Sequence, residues 1–120
     1  MEKTTKRKLL FIGDSITDVG RNRNNPDSLG KGYVALIAKA LADRDDSERY
    51  QLINRGISGN RILDIAERWH ADCVSLEPDV VTLLIGINDT LYNVGDDTVF
   101  ATEAGAEQFE MLYRHFLSSL

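Results

Sequence analysis

A short apolar run, Leu9 to Ile12, stops abruptly at Gly13, Asp14 and Ser15, and this feature constrains the fold most. Four apolar residues without polar alternation predict a strand covered on both faces, as in a parallel sheet. Gly13 permits a sharp bend directly after that strand. Ligands of open parallel sheets bind beyond the carboxyl ends of the strands. Ser15 is therefore a candidate nucleophile, although Gly-Asp-Ser is also common in ordinary turns.

Two more apolar runs predict strands, Tyr50 to Asn54 and Val80 to Ile85, and helical patterns alternate with the strands. A final helix is predicted from about Phe100 to the end of the chain. The order β-α-β-α-β-α predicts an α/β fold with a parallel sheet and right-handed crossovers. The apolar residues at helical spacing are Val34, Ile37, Ala38 and Leu41, then Ile62, Ile65, Ala66 and Trp69, and last Phe109, Leu112, Tyr113 and Phe116.

Polar segments connect these elements. Residues Val19 to Gly32 and Thr90 to Thr98 are rich in Asn, Asp and Gly, which predicts loops. Both loops lie after strands and would shape a substrate site, although a solvated connection is an equally good interpretation of Val19 to Gly32. Ser58 or Asn60 is expected to cap the helix that follows the second strand.

Composition excludes several classes of function. The net charge is −5 with a pI near 4.9, which argues against a nucleic-acid partner. Cys73 is the single cysteine, so no internal disulfide forms, and a cytoplasmic location is expected. No apolar run approaches the roughly 20 residues that span a bilayer. The basic residues 1–8 precede an apolar run too short for a signal peptide.

In a parallel sheet, the turns that follow the three predicted strands lie along one edge. These turns are residues 13–15, 56–60 and 86–89. They bring together a hydroxyl, glycine N–H groups and an asparagine amide. Acyl transfer requires such a set, because a hydroxyl attacks the carbonyl carbon and donors hold the oxygen that becomes negative.

Three sequence blocks in this order resemble the GDSL, or SGNH, hydrolases. Residues 11–18 (FIGDSITD) are similar to the first block, residues 54–59 (NRGISG) to the second, and residues 86–89 (GIND) to the Gly-x-Asn-Asp block. Ile16 stands where the family usually has leucine, which keeps the apolar character. The resemblance implies a flavodoxin-like, three-layer αβα sandwich. It also implies a hydrolase of ester bonds, an esterase or lipase.

The resemblance further implies a role for each matching residue. Ser15 would be the nucleophile, and its own N–H would be one oxyanion donor. Gly59 would add a second N–H, and Asn88 a side-chain amide. Asp14 and Asp89 would orient the turns. No cofactor or metal is implied, and the substrate would be a small acyl ester, such as an acetylated carbohydrate or a lipid ester.

The family's catalytic base, in an Asp-x-x-His block, has no match here. His70 is preceded three residues earlier by Glu67, and His115 by Leu112, so both are interpreted as surface histidines. We expect residues 1–120 to be the N-terminal part of one hydrolase domain, with negligible activity alone. The third strand would then be an uncovered edge that promotes self-association.

Two other functions remain open. Asp14 follows an apolar strand, as does the nucleophile of haloacid dehalogenase-like phosphatases, but Ile16 stands where those enzymes need a second Asp. Alternatively, the chain is a non-catalytic binding module that keeps the pocket and lacks the base.

Overall fold

The core of the fold is a parallel sheet of three strands in the order β2-β1-β3. The computed structural model describes residues 6–91 and 103–120. The strands are β1 (Arg7–Gly13), β2 (Tyr50–Gly56) and β3 (Val80–Leu84). All three predicted strands are therefore present. The first two extend further than predicted, through the glycine that ends each of them.

Helices connect the strands and follow the last one. The predicted helices are confirmed, and two single helical turns, α1 and α4, occur where only turns were predicted. Thr90 and Leu91 of the predicted loop lie in α4. Residues 92–98 and the predicted helix start near residue 100 lie outside the described residues. The helices are α1 (Ser15–Asp18), α2 (Tyr33–Asp43), α3 (Ile62–Asp72), α4 (Ile87–Leu91) and α5 (Glu103–Ser118), with a 3₁₀ turn at Val74–Leu76.

Alternating side chains of β1 build a core on each face of the sheet. Leu10 and Ile12 join the cluster formed with α3 and α5, whereas Phe11 contacts the ring of Tyr33 in α2 at a centroid distance of 5.9 Å. Helices therefore lie on both faces, which confirms the three-layer α/β arrangement. The main cluster contains Leu10, Ile12, Ile53, Ile62, Ile65, Trp69, Cys73 and Phe116.

The predicted cap of α3 is wrong. The helix begins at Ile62, so its N-cap is Arg61 rather than Ser58 or Asn60. The Arg61 N–H donates to the carboxylate of Asp64 at 2.8 Å, which is the reciprocal half of a capping box. Ser58 and Asn60 are thereby free for contacts with other turns.

Burial differs between the two faces of β3. Val81 and Leu83 pack against the main cluster, but Val80 and Leu84 on the opposite face are 48% and 42% exposed. Among residues 6–91 and 103–120, α1 and α2 make at most weak contact with β3. Within the same ranges, no helix is both long enough and apolar enough to cross a membrane.

Candidate active site

The register of the sheet aligns the ends of all three strands. Gly13 pairs with Gly56 on one side and with Leu84 on the other. The segments that follow, residues 13–18, 56–60 and 86–89, therefore lie at one edge, here called the rim. A Cβ on Gly13 would collide with the Leu84 carbonyl oxygen, so glycine permits this close approach.

Ser15 begins α1 immediately beyond β1 and is exposed to solvent. Neither its hydroxyl nor its N–H has a hydrogen-bond partner among residues 6–91 and 103–120. The preceding Asp14 is the N-cap of α1, and its Oδ1 accepts the N–H of Ile16 at 3.0 Å. The hydroxyl is thus held at a fixed turn and left open to a ligand.

Asp14 itself is buried, with 1% of its surface exposed. Its Oδ2 is buried and has no hydrogen-bond partner within the described part of the chain. A nucleophile for phosphoryl transfer must reach its substrate, so this burial argues against the phosphatase alternative. Asp14 instead supports the serine turn, because its other oxygen caps α1.

Gly59 lies in the turn between β2 and α3 with a φ of +85°, a conformation that favours glycine. It is exposed, and nothing lies within 4 Å of the position that a Cβ would occupy. Its N–H finds no acceptor in the described ranges. The turn therefore presents an unused backbone donor with open space beside it.

Asn88 and Asp89 connect the third turn of the rim to the second. The Asn88 amide donates to the Asn60 carbonyl at 3.0 Å, and Asp89 accepts the Ile62 N–H at 3.0 Å. Burial raises the pKa of Asp89, although the Ile62 N–H and the Arg61 charge oppose this effect. An amide nitrogen carries two N–H groups, so Asn88 keeps a second donor after bonding Asn60.

Asp18 links the first turn to the second and was not singled out from the sequence. Its Oδ2 accepts both the N–H and the hydroxyl of Ser58, at 2.9 and 2.8 Å. Burial raises the pKa of Asp18, but these two bonds and the charges of Arg23 and Arg21 outweigh it, so the pKa is lowered. Asp18 therefore remains ionised and fixes the residue next to Gly59.

Asn54 provides a second link that sequence reasoning missed. It is completely buried, and its amide donates to the carbonyls of Thr17 at 2.8 Å and Leu29 at 3.0 Å. Its side-chain oxygen accepts the Gly56 N–H at 2.8 Å. The available signal was a polar residue at a buried position of an otherwise apolar strand.

Neither histidine lies at the rim. His70 is exposed in the last turn of α3, whereas the rim meets the first turn of that helix. His115 is exposed on α5. Within residues 6–91 and 103–120, no group of His, Cys, Asp and Glu side chains is arranged to hold a metal ion.

Comparison with known proteins yields consistent matches. The sequence pattern of the GDSL-like lipase/acylhydrolase family matches residues 11–119. An acetylxylan esterase from Geobacillus stearothermophilus is 45% identical over 86 residues, 68% of this chain and 39% of that protein. A crystal structure of an acetylxylan esterase from the same organism has a TM-score of 0.81 and 35% identity, covering 97% of this chain and 55% of that one.

A structure assigned as a GDSL-like lipase from Parabacteroides merdae gives a TM-score of 0.78 at 34% identity. That match covers 98% of this chain and 56% of the other. The chain therefore spans about half the length of the solved structures that it matches, and less than half of the curated relative.

Proposed function

Because the chain belongs to the GDSL-like lipase/acylhydrolase family, we propose that it supplies the nucleophile and the oxyanion donors of an ester hydrolase. The observation that carries the proposal is the rim, where an exposed serine lies beside two turns with unused N–H donors. The Asp18 side chain bonds the first turn to the second, and the Asn88 side chain bonds the third turn to the second. Such preorganised donors favour a developing negative charge without rearrangement.

In the proposed reaction, the Ser15 oxygen attacks the ester carbonyl carbon and its proton passes to a base. The negative carbonyl oxygen is held by the N–H groups of Ser15 and Gly59 and by the Asn88 amide. The tetrahedral intermediate then expels the alcohol, which takes the proton from the base. Water cleaves the remaining acyl-serine by the same steps, releasing the carboxylic acid.

The base is proposed to lie in polypeptide beyond these 120 residues, in an Asp-x-x-His block. Residues 1–120 would then form the N-terminal part of a single domain. The exposed positions of His70 and His115 support this proposal. The chain alone should hydrolyse p-nitrophenyl acetate negligibly, because a serine hydroxyl without a base is a weak nucleophile.

The proposed substrate is an acetylated carbohydrate rather than a lipid ester. Support comes from the acetylxylan esterases of Geobacillus stearothermophilus, which match this chain at 35% and 45% identity. The loop of residues 19–32, which runs beside the rim through the Asn54–Leu29 hydrogen bond, is expected to contact the sugar. A cytoplasmic location stays a prediction that rests on the single cysteine, Cys73.

A non-catalytic binding module is the second candidate. One observation favours it: neither histidine of this chain lies near the rim. The same pocket without a base would bind an ester without cleaving it.

A fluorophosphonate probe tests whether the rim is catalytically competent once a base is supplied, because the probe reacts with an activated serine. We would join the chain, after Leu120, to the C-terminal part of the Geobacillus esterase and locate the label by mass spectrometry. The esterase proposal predicts labelling at Ser15, lost in Ser15→Ala. Absence of labelling in a fusion that circular dichroism shows to be folded would instead favour the binding module.

A further inference from the structure

An open cleft of about 270 Å³ lies beside the end of β2. Its lining residues are Arg21, Arg23, Pro26, Arg55, Ile57 and Asp72, and it is here called the arginine cleft. The volume is close to the lower limit of roughly 300 Å³ for small-molecule sites, which suits a single sugar-sized group.

The arginine cleft shares its walls with the rim. Ile57 lines the cleft, and its N–H donates to the Gly13 carbonyl at 3.0 Å, two residues before the serine. Arg21 also lines the cleft and donates from both Nε and Nη2 to the Gly56 carbonyl. A group held in the cleft would therefore be attached to a molecule that can also reach the rim.

Positive charge dominates this region although the whole chain carries −5. Within residues 6–91 and 103–120, two carboxylates form ion pairs with these guanidinium groups. Asp18 is 3.3 Å from Arg21 and 3.8 Å from Arg23, and Asp72 is 2.9 Å from Arg68. Burial lowers the pKa of Arg21, and repulsion from Arg55 and Arg23 acts in the same direction, although attraction to Asp18 opposes both effects. The region is thus short of negative charge.

Two of the guanidinium groups retain unused donors. Arg55 donates from Nη1 to the carbonyls of Pro26 and Asn54, both at 3.0 Å, but its Nε and Nη2 have no acceptor in the described ranges. The Arg23 side chain is 56% exposed, and its ion pair with Asp18 is long at 3.8 Å. A guanidinium with two free N–H groups matches a planar carboxylate in bidentate geometry.

We propose that the arginine cleft binds the carboxylate of an acidic sugar substituent, such as a uronate, carried by the carbohydrate ester. This inference rests on the proposed esterase function and assigns a specificity subsite to it. A uronate is favoured over inorganic phosphate because Asp72 on the cleft wall can accept hydrogen bonds from sugar hydroxyls, which inorganic phosphate lacks. The subsite would select acidic substrates over neutral ones.

The test titrates the ¹⁵N-labelled 120-residue chain by NMR with D-glucuronate, D-glucose and inorganic phosphate. We expect glucuronate to shift the amide signals of Arg55 and Ile57, with an affinity that falls as salt is added. Glucose should produce no saturating shift, and phosphate should bind at least threefold more weakly than glucuronate. Equal binding of glucose, or tighter binding of phosphate, would overturn the proposal.

Variants localise the interaction. Arg55→Gln should weaken glucuronate binding about tenfold, since it removes a charge-assisted pair. Arg23→Gln should weaken it about threefold and provides a second variant if Arg55→Gln fails to fold, because the Arg23 side chain is exposed and its ion pair with Asp18 is long. Arg49→Gln is the control, because that side chain is 75% exposed near Asp46. Unchanged binding in a folded Arg55→Gln or in Arg23→Gln would refute the site.

Ser15→Ala separates this inference from the proposed function. The serine is not part of the arginine cleft, so Ser15→Ala should bind glucuronate as the wild type does. Ester cleavage is measured in the fusion with the C-terminal part of the Geobacillus esterase, because the 120-residue chain alone should be inactive. Loss of that cleavage in Ser15→Ala with retained glucuronate binding supports both proposals. Retained Ser15-dependent cleavage without glucuronate binding overturns the subsite alone.

Discussion

The two flanks of the sheet are held in different ways. On the β2 flank, seven residue pairs join β2 to β1, and buried polar side chains such as Asn54 and Asp18 bond across to neighbouring turns. On the β3 flank, the strand has five residues and relies on apolar contacts with one helical layer. Its other face exposes Val80 and Leu84.

The β2 flank is held by more hydrogen bonds within the described residues than the β3 flank. Asp18 and Asn54 make several of the bonds that fix the serine turn and the Gly59 turn, and both lie within residues 13–58. Arg68 and Asn88 add bonds to the same two turns from outside this range. A parallel strand, by contrast, is normally covered on both faces. The β3 flank has one covered face, and we expect it to recruit further polypeptide or a second copy of the chain.

The largest expected effect comes from the apolar support of the β3 flank. Phe116 is 1% exposed and stacks on Trp69 with ring centroids 4.4 Å apart. Phe116→Ala should lower the free energy of unfolding by about 3–5 kcal/mol, because it leaves a cavity between α3 and α5. Urea denaturation measures the loss. Leu117→Ala, at a site 63% exposed, is the control and should change little.

The buried Asn54 side chain on the β2 flank should contribute nearly as much to the free energy of unfolding as Phe116. Asn54→Ala removes three hydrogen bonds and leaves the Gly56 N–H buried without an acceptor. We expect a loss of about 3 kcal/mol in urea denaturation. Gln51→Ala, at an exposed position of the same strand, should be close to neutral. A loss under 1 kcal/mol in Asn54→Ala would mean that the two flanks do not differ as described.

Asp18→Asn should lower stability at neutral pH by about 2 kcal/mol, because it weakens charge-assisted bonds from Ser58. The folded pKa of Asp18 lies below its ordinary value of 3.8, so the ionised group stabilises the fold above that pH. This contribution disappears as the pH falls through the lowered pKa. Urea denaturation at several pH values should therefore show that the free energies of unfolding of the wild type and Asp18→Asn converge as the pH becomes acidic. Asp43→Asn, at an exposed position, is the control and should match the wild type at every pH.

The smallest effect on stability is expected at the open face of β3. Leu84→Lys should change the free energy of unfolding by no more than about 0.5 kcal/mol, since the side chain is 42% exposed. It should nevertheless reduce self-association measured by light scattering at tens of micromolar, because charge opposes strand pairing. Leu36→Lys, 67% exposed on α2, should leave association unchanged. A wild-type chain that is already monomeric would contradict this prediction.

The sequence was sufficient for the elements that have strong local patterns. Apolar runs identified all three strands, and 3.6-residue spacing identified α2, α3 and α5. The single-turn helices α1 and α4 were missed because four or five residues are too few to show a period. The cap of α3 was misassigned because it depends on which residue starts the helix, a boundary that spacing locates only within a few residues.

Within the candidate site, the motif blocks indicated Ser15, Gly59 and Asn88 as candidate residues, but they did not indicate which side chains hold the three turns together. Asp18 and Ser58 are 40 positions apart, and Asn54 and Thr17 are 37 apart. Pairs at such separations leave no trace in local spacing, because only the register of the sheet brings them together. The arginine cleft was missed for the same reason.

The central claim, that this chain holds a serine and its oxyanion donors but lacks a base, is tested most directly by chemical rescue. The rate of p-nitrophenyl acetate hydrolysis would be measured for the wild-type chain and for Ser15→Ala at increasing imidazole concentrations. Imidazole itself hydrolyses the ester, so the Ser15→Ala rate is subtracted from the wild-type rate as background. The account predicts a difference near zero without imidazole that rises as imidazole supplies the base. Equal rates for the two proteins at every imidazole concentration would contradict it.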